Sequence, residues 1–165
     1  MSSTKSKHFA GPYKTAALVL AGLLVMGSGL TAMAQSDNGL EGTWRAQVTV
    51  RDCGNPNVVL RTFPARFSYA KGGVLTVTTA GQLPSLTTPG LGVWQHTTGH
   101  SYSAVSEAFF FSPAGAWTSI QRLTRVIEVD SGGNGYTDSI ALEILDTHGN
   151  VIVTGCGTSV ASRME

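Results

Sequence analysis

The sequence predicts an all-β domain, an eight-stranded antiparallel up-and-down barrel behind an export leader. Three observations predict it. Apolar and polar residues alternate in one segment after another, with little helical spacing. Clusters rich in Gly, Asn and Pro interrupt that alternation at short intervals. The composition, 20 Gly in 165 residues with many Thr and Val and only 13% charged residues, suits a turn-rich β domain.

The leader occupies residues 1–34. Lys5, Lys7 and Lys14 carry positive charge with no acid nearby, and Thr15 to Leu30 is almost wholly apolar or small. Ala32-Met33-Ala34 then offers small residues at both specificity positions of a signal peptidase. This order of charged, apolar and A-x-A segments predicts cleavage between Ala34 and Gln35. The apolar run is shorter than the ~20 residues of a membrane span. With no Cys at the cleavage point and no twin Arg, the general secretory route to periplasm or medium is expected. Residues 35–41 form a lead-in, with a helical turn hinted at Asn38 to Glu41, and 42–165 form the barrel.

From Gln35 onward the chain has eight basic and ten acidic side chains and no basic run. That leaves no electrostatic footprint for nucleic acid. No membrane association is expected once the leader is removed. A chain of ~130 residues is long enough to bury a real core.

The elements follow in order. In Gly42 to Arg51, Trp44, Ala46, Val48 and Val50 share one face, with Thr43, Arg45, Gln47, Thr49 and Arg51 on the other. After Cys53-Gly54-Asn55-Pro56, the run Val58 to Tyr69 puts Phe63, Ala65, Phe67 and Tyr69 on one face. Pro64 cannot donate to a ladder, so a bulge or break is expected there. Lys71-Gly72-Gly73 is a hairpin turn and Val74 to Thr79 the third strand. Ala80 to Leu91, with Pro84 and Pro89, reads as a long loop. Gly92 to Thr97, Ser101 to Phe111, Trp117 to Val129, Tyr136 to Leu145 and Val151 to Met164 complete the set, separated by turns rich in Gly. On the fifth strand, Tyr102, Ala104, Ser106, Ala108 and Phe110 oppose Val105, Glu107, Phe109 and Phe111. Both faces are apolar, which points to something packing outside the barrel, such as a second copy.

Short connections make consecutive strands antiparallel neighbours. Eight strands of ~6–12 residues can close into a barrel just wide enough for its own side chains or one small ligand. An open two-sheet sandwich is the alternative. Closure demands that the first strand pair with the last. Facing residues in an antiparallel pair have a constant sum of residue numbers. Cys53 with Cys156 gives 209, and Trp44 with Arg163 gives 207, a difference within the reach of diagonal neighbours. In an exported chain such a Cys pair reads as a disulfide, with two buried free thiols as the alternative. Closing a loop of ~100 residues contributes at most ~4.7 kcal/mol on the chain-entropy account.

Gly42-Thr43-Trp44 opening the first strand, with Arg163 near the end of the last, resembles the calycin pattern. There a G-x-W starts the barrel and a basic side chain from the chain's end packs over the Trp, plugging one end. A guanidinium over an indole gains ~0.5–2 kcal/mol. The stretches Val50-Arg51-Asp52-Cys53-Gly54, Pro89-Gly90-Leu91-Gly92-Val93-Trp94, Asp146-Thr147-His148-Gly149-Asn150 and Gly155-Cys156-Gly157 are similar to those of small exported bacterial calycin-like, or lipocalin-like, proteins. The likeness covers about Leu40 to Arg163. Allene oxide cyclase and dirigent barrels are related shapes that steer reactive intermediates in a cavity. The chain lacks the C-terminal helix of true lipocalins, so ligand transport follows from the resemblance at fold level only.

Catalytic motifs are missing: there is no G-x-S-x-G elbow, H-E-x-x-H, P-loop or dinucleotide fingerprint. His96 and His100 flank a turn and His148 sits in another, so no metal site and no cofactor are expected. Asp130, Asp138 and Asp146 are spaced like turn acids. The residues that could line a cavity are Trp94, His96, Tyr102, Glu107, Arg122 and Tyr136, aromatic walls with a few polar anchors. They serve equally as core filler with solvent-facing charges. The expected function is a binding module for a small, mostly apolar ligand. The alternatives are a cyclase-like or dirigent-like cavity enzyme using His96, Glu107 or Arg122, and an interaction protein that self-associates through its outer strand face.

Overall fold

Each alternating segment becomes a strand, because a strand with one apolar face gains most when that face turns toward a shared interior. The computed structural model describes residues 39–165. It contains β1 (Gly42–Arg51), β2 (Val59–Ala70), β3 (Val74–Thr79), β4 (Gly90–Thr98), β5 (Ser101–Phe111), β6 (Trp117–Val129), β7 (Gly135–Leu145) and β8 (Val151–Arg163), with one 3-10 turn at Pro84–Leu86. The expected leader and its expected cleavage point between Ala34 and Gln35 lie outside the described residues. Among the described residues, no helix is long and apolar enough to cross a membrane.

Every strand pairs antiparallel with the next, and β8 returns to β1, so the sheet closes into a barrel and the open sandwich is excluded. At the seam, Trp44 faces Arg163 and Arg51 faces Cys156 in one register. Cys53 lies two residues beyond Arg51 and is bonded to Cys156 across 103 residues of chain. One pairing therefore serves both the disulfide and the Trp–Arg contact.

Three local expectations change. Pro64 makes no bulge: it pairs in register with Gln47, and the shift falls later, between Val50 and Arg51. Pro64 sits one position past the last β2–β3 pair, Ala65 with Thr79, and its carbonyl still accepts the Ala80 N–H at 3.0 Å. The N–H it lacks would have served only the end of that ladder. Gly39 and Leu40 form a bend, not a helical turn. The bend turns the fully buried Leu40 back under the barrel, where its carbonyl accepts the Trp44 indole N–H at 2.9 Å. The loop after β3 is shorter than expected, because β4 already begins at Gly90.

Two glycine sites are required by geometry. Gly72 and Gly73 turn the β2–β3 hairpin at φ of 90° and 87°, a region that side chains disfavour. On β4, a Cβ at Gly92 would collide with the Val105 carbonyl and the Ser106 Cα, so close is the approach to β5. The faces of β5 are also settled: Tyr102, Ala104 and Ser106 are buried inside, while Val105, Glu107 and Phe109 are exposed.

Candidate functional site

The interior divides along the barrel axis. One end carries the hairpin turns 71–73, 99–100 and 130–134, together with the lead-in and Arg163. It is sealed. Trp44 is fully buried, and the Arg163 guanidinium lies 4.2 Å from its ring centroid. Arg163 also donates to the carbonyls of Gly133 (2.8 Å), Gly39 (2.7 Å) and Glu41. Tyr136 packs edge-on to Trp44 with ring centroids 4.9 Å apart, and Tyr69 meets Tyr136 at 6.2 Å. Trp44 and Arg163 therefore meet at this end of the barrel.

Above this seal lies a buried ionic network. Arg125, 1% exposed, pairs with Asp138, whose side chain is 0% exposed. Arg125 Nε donates to Asp138 Oδ2 at 2.6 Å, and Nη2 donates to the same oxygen. Nη1 donates to Tyr69 Oη at 2.9 Å, and Nη2 also has Tyr136 Oη at 3.3 Å and Ser159 Oγ at 3.2 Å. The other carboxylate oxygen accepts the Ser159 N–H at 2.6 Å and its hydroxyl at 2.7 Å. Phe67 covers one face of the guanidinium, with its ring centroid 3.8 Å away. Burial works against the Arg125 charge, yet the neighbouring Tyr69, Asp138 and Tyr136 raise its pKa above the ordinary value. Burial pushes the Tyr69 phenol well above its ordinary value of 10.0 and raises Tyr136 likewise, with the Arg125 charge opposing in each case. A pair with this many satisfied bonds is tolerated in a low-dielectric interior, where either partner alone would be costly.

The other half of the barrel is hollow. A cavity of about 220 Å³ lies between the Arg125 network and the loops at the opposite end. Val48, Phe63, Val77, Leu123, Ile140 and Leu142 are among its walls, with Ser106, Thr79 and Gln121 as polar contributors. Arg125 borders it from below. The segment 80–89 crosses this end and ties to β5, through the Thr88 N–H donating to the Phe109 carbonyl and the Phe109 N–H donating to Thr88 Oγ1, both 3.1 Å. Arg61 lies over the Phe63 ring and donates to the Gly81 carbonyl, joining β2 to the same segment.

The six sequence-predicted site residues are not brought together. Trp94, His96 and Tyr102 form an aromatic run toward the sealed end, with Trp94 and His96 centroids 5.8 and 5.0 Å from Tyr102. Trp94 also meets Tyr69 edge-on and donates its indole N–H to the Ala70 carbonyl at 3.0 Å. The exposed His96 bonds the Gly99 carbonyl through Nε2 at 2.9 Å. Tyr136 belongs to the buried network. Glu107 and Arg122 are cross-strand partners on the outer surface, joined at 2.8 Å, with Glu143 3.5 Å from Arg122. Of the six, only Glu107 borders the cavity.

Asp138 is the clear correction. Read as a turn acid, it lies in the middle of β7 and points inward. Arg125, Asp138, Tyr69 and Ser159 were all missed as a group. A signal was available: Arg125 interrupts the apolar face Leu123, Ile127, Val129, and Asp138 interrupts Tyr136, Ile140, Leu142. Pairing β6 with β7 then makes them diagonal neighbours, since Arg125 faces Ile140 and Ile127 faces Asp138. No protein-family model, no curated protein and no solved structure matches this chain.

Proposed function

We propose that this chain is an exported binding module of the calycin type, holding one small, mostly apolar ligand in the hollow half of its barrel. The observation that carries this reading is the apolar-walled cavity of about 220 Å³ above a buried polar floor. A barrel of eight strands can fill itself with side chains, so a hollow on one side only reflects the small residues chosen there. The disulfide across the seam beside the cavity is compatible with an oxidising compartment.

Native mass spectrometry of the protein, isolated without heat or organic solvent, tests the reading. A mass excess that vanishes on denaturation is expected. Ala108→Leu, which extends a side chain into the cavity, should abolish that excess while the thermal midpoint stays close to wild type. A bare mass for both proteins counts against a carrier.

Self-association is a second reading, favoured by the outer row Val74, Val93 and Val105, in register across β3, β4 and β5 and 53%, 64% and 38% exposed. Sedimentation giving a monomer at high concentration removes it. Catalysis of the cyclase or dirigent kind draws no support from His96, Glu107 or Arg122, since His96 is exposed and bonded to the Gly99 carbonyl while the Glu107 and Arg122 side chains pair with each other on the outer surface.

A further inference from the structure

The chemistry of the cavity floor narrows the ligand class, and this inference rests on reading the cavity as a ligand site. A guanidinium has five N–H donors. Arg125 Nε is used by Asp138. Nη2 has more acceptors around it than hydrogens: Asp138, Tyr136 and Ser159. Nη1 has Tyr69 Oη alone, which leaves one N–H with no acceptor among the described residues. Neither phenol relieves this. Tyr69 Oη and Tyr136 Oη stand 3.5 Å apart, each already facing a guanidinium nitrogen. Asp138 is saturated by Arg125 and Ser159. Arg125 borders the cavity, whereas Tyr69, Tyr136 and Asp138 do not.

Charge decides what can meet that donor. Arg125 and Asp138 neutralise one another, so the floor is a polar spot without net charge. A ligand carboxylate placed there would bring a third, unpaired charge beneath apolar walls. A pure hydrocarbon would leave the donor unmet. An uncharged oxygen acceptor satisfies it at neither cost. Scaled from the ~150 Å³ apolar cavity that admits benzene, 220 Å³ accepts roughly nine non-hydrogen atoms.

We propose that the cavity takes a small, chiefly hydrocarbon ligand ending in an uncharged acceptor, a ketone, aldehyde or ether oxygen, seated on the Arg125 Nη1 donor. The competing site for an anionic head is Arg61, which is exposed and also borders the cavity.

The test titrates the disulfide-intact protein near neutral pH with three probes of matched size: acetophenone, benzoate and isopropylbenzene. Calorimetry should show acetophenone binding at least about tenfold more tightly than either other probe. Benzoate binding as tightly as acetophenone overturns the proposal, and loss of that benzoate binding in Arg61→Gln would place the charged head by Arg61. Equal binding of acetophenone and isopropylbenzene also overturns it, while leaving the cavity as a ligand site. If no probe binds and the native mass spectrum is bare, the cavity reading itself falls. The double variant Arg125→Met/Asp138→Leu removes both charges together and so leaves no unpaired buried charge. It should bind isopropylbenzene as wild type does and lose the preference for acetophenone; a preference that persists sinks the assignment.

Discussion

The two halves of the barrel share the same strands but have opposite interiors. In the sealed half, the inward positions include Trp44, Phe67, Tyr69, Leu75, Ile127, Tyr136 and Arg125, each under 3% exposed. In the hollow half they include Val48, Val77, Ser106, Ala108, Leu123 and Gly157. Barrel radius is set by strand number and stagger, so it cannot shrink locally around smaller side chains. Side-chain volume alone then decides between core and cavity. The bonds that hold each half differ in kind as well. Packing and a buried ion pair fix the sealed half, while a covalent link at Cys53–Cys156 and the docked segment 80–89 fix the hollow one.

The largest effect is expected from breaking the sealed half electrostatically. Asp138→Ala leaves the Arg125 charge buried and alone, and should lower unfolding free energy by about 4 kcal/mol in urea titrations. Arg125→Met/Asp138→Leu should lose far less, despite changing two residues. A single variant as stable as the double would mean that water reaches the guanidinium.

Next in size is the hollow half. Cys53→Ser/Cys156→Ser should cost about 3 kcal/mol, and hydrogen exchange should rise first around Arg51 and Gly157. Protection around Trp44 and Arg163 should persist, because that end of the seam has its own packing and hydrogen bonds. Uniform loss of protection would show that the two halves open as one unit.

A smaller effect appears at alkaline pH. Tyr69 and Tyr136 have folded-state pKa values raised above 10.0. Their contribution is complete below the unfolded value and is lost as pH rises through the folded ones, because the unfolded chain releases those protons first. Stability should fall above pH ~10, by at most ~1.4 kcal/mol per pH unit for each phenol. Tyr69→Phe/Tyr136→Phe should flatten that limb; an unchanged alkaline midpoint would place the cause elsewhere.

The smallest effect belongs to the outer surface. Arg122→Ala removes both ion pairs to Glu107 and Glu143. Exposed pairs of this kind gain little over their solvated separate charges, so the denaturation midpoint should not move measurably.

Much of the fold could be read from residue order because alternation is local. The strands β1, β3, β5 and β6 begin and end where the apolar pattern does. The seam was legible for a related reason: Trp44 with Arg163 and Cys53 with Cys156 imply one register, and one register is what forms. Pro64 shows where local reasoning stops. Its effect depends on whether a neighbour needs its N–H, and β3 has ended by then. The site was less legible. Trp94, His96, Tyr102, Glu107, Arg122 and Tyr136 were gathered by residue type, whereas position along the barrel axis and inward or outward direction decide what each one does.

Sequence by itself determined the strands and their order, which follow from a two-residue period and from turn residues. It made a closing seam and a disulfide the expectation over an open sandwich and two free thiols, and the structure decided both. Only the tertiary structure decided where the barrel is full and where it is hollow, and that Arg125 and Asp138 meet beneath the cavity. Those outcomes depend on how the side chains of eight strands share one enclosed volume, and no single segment of the chain encodes that sum.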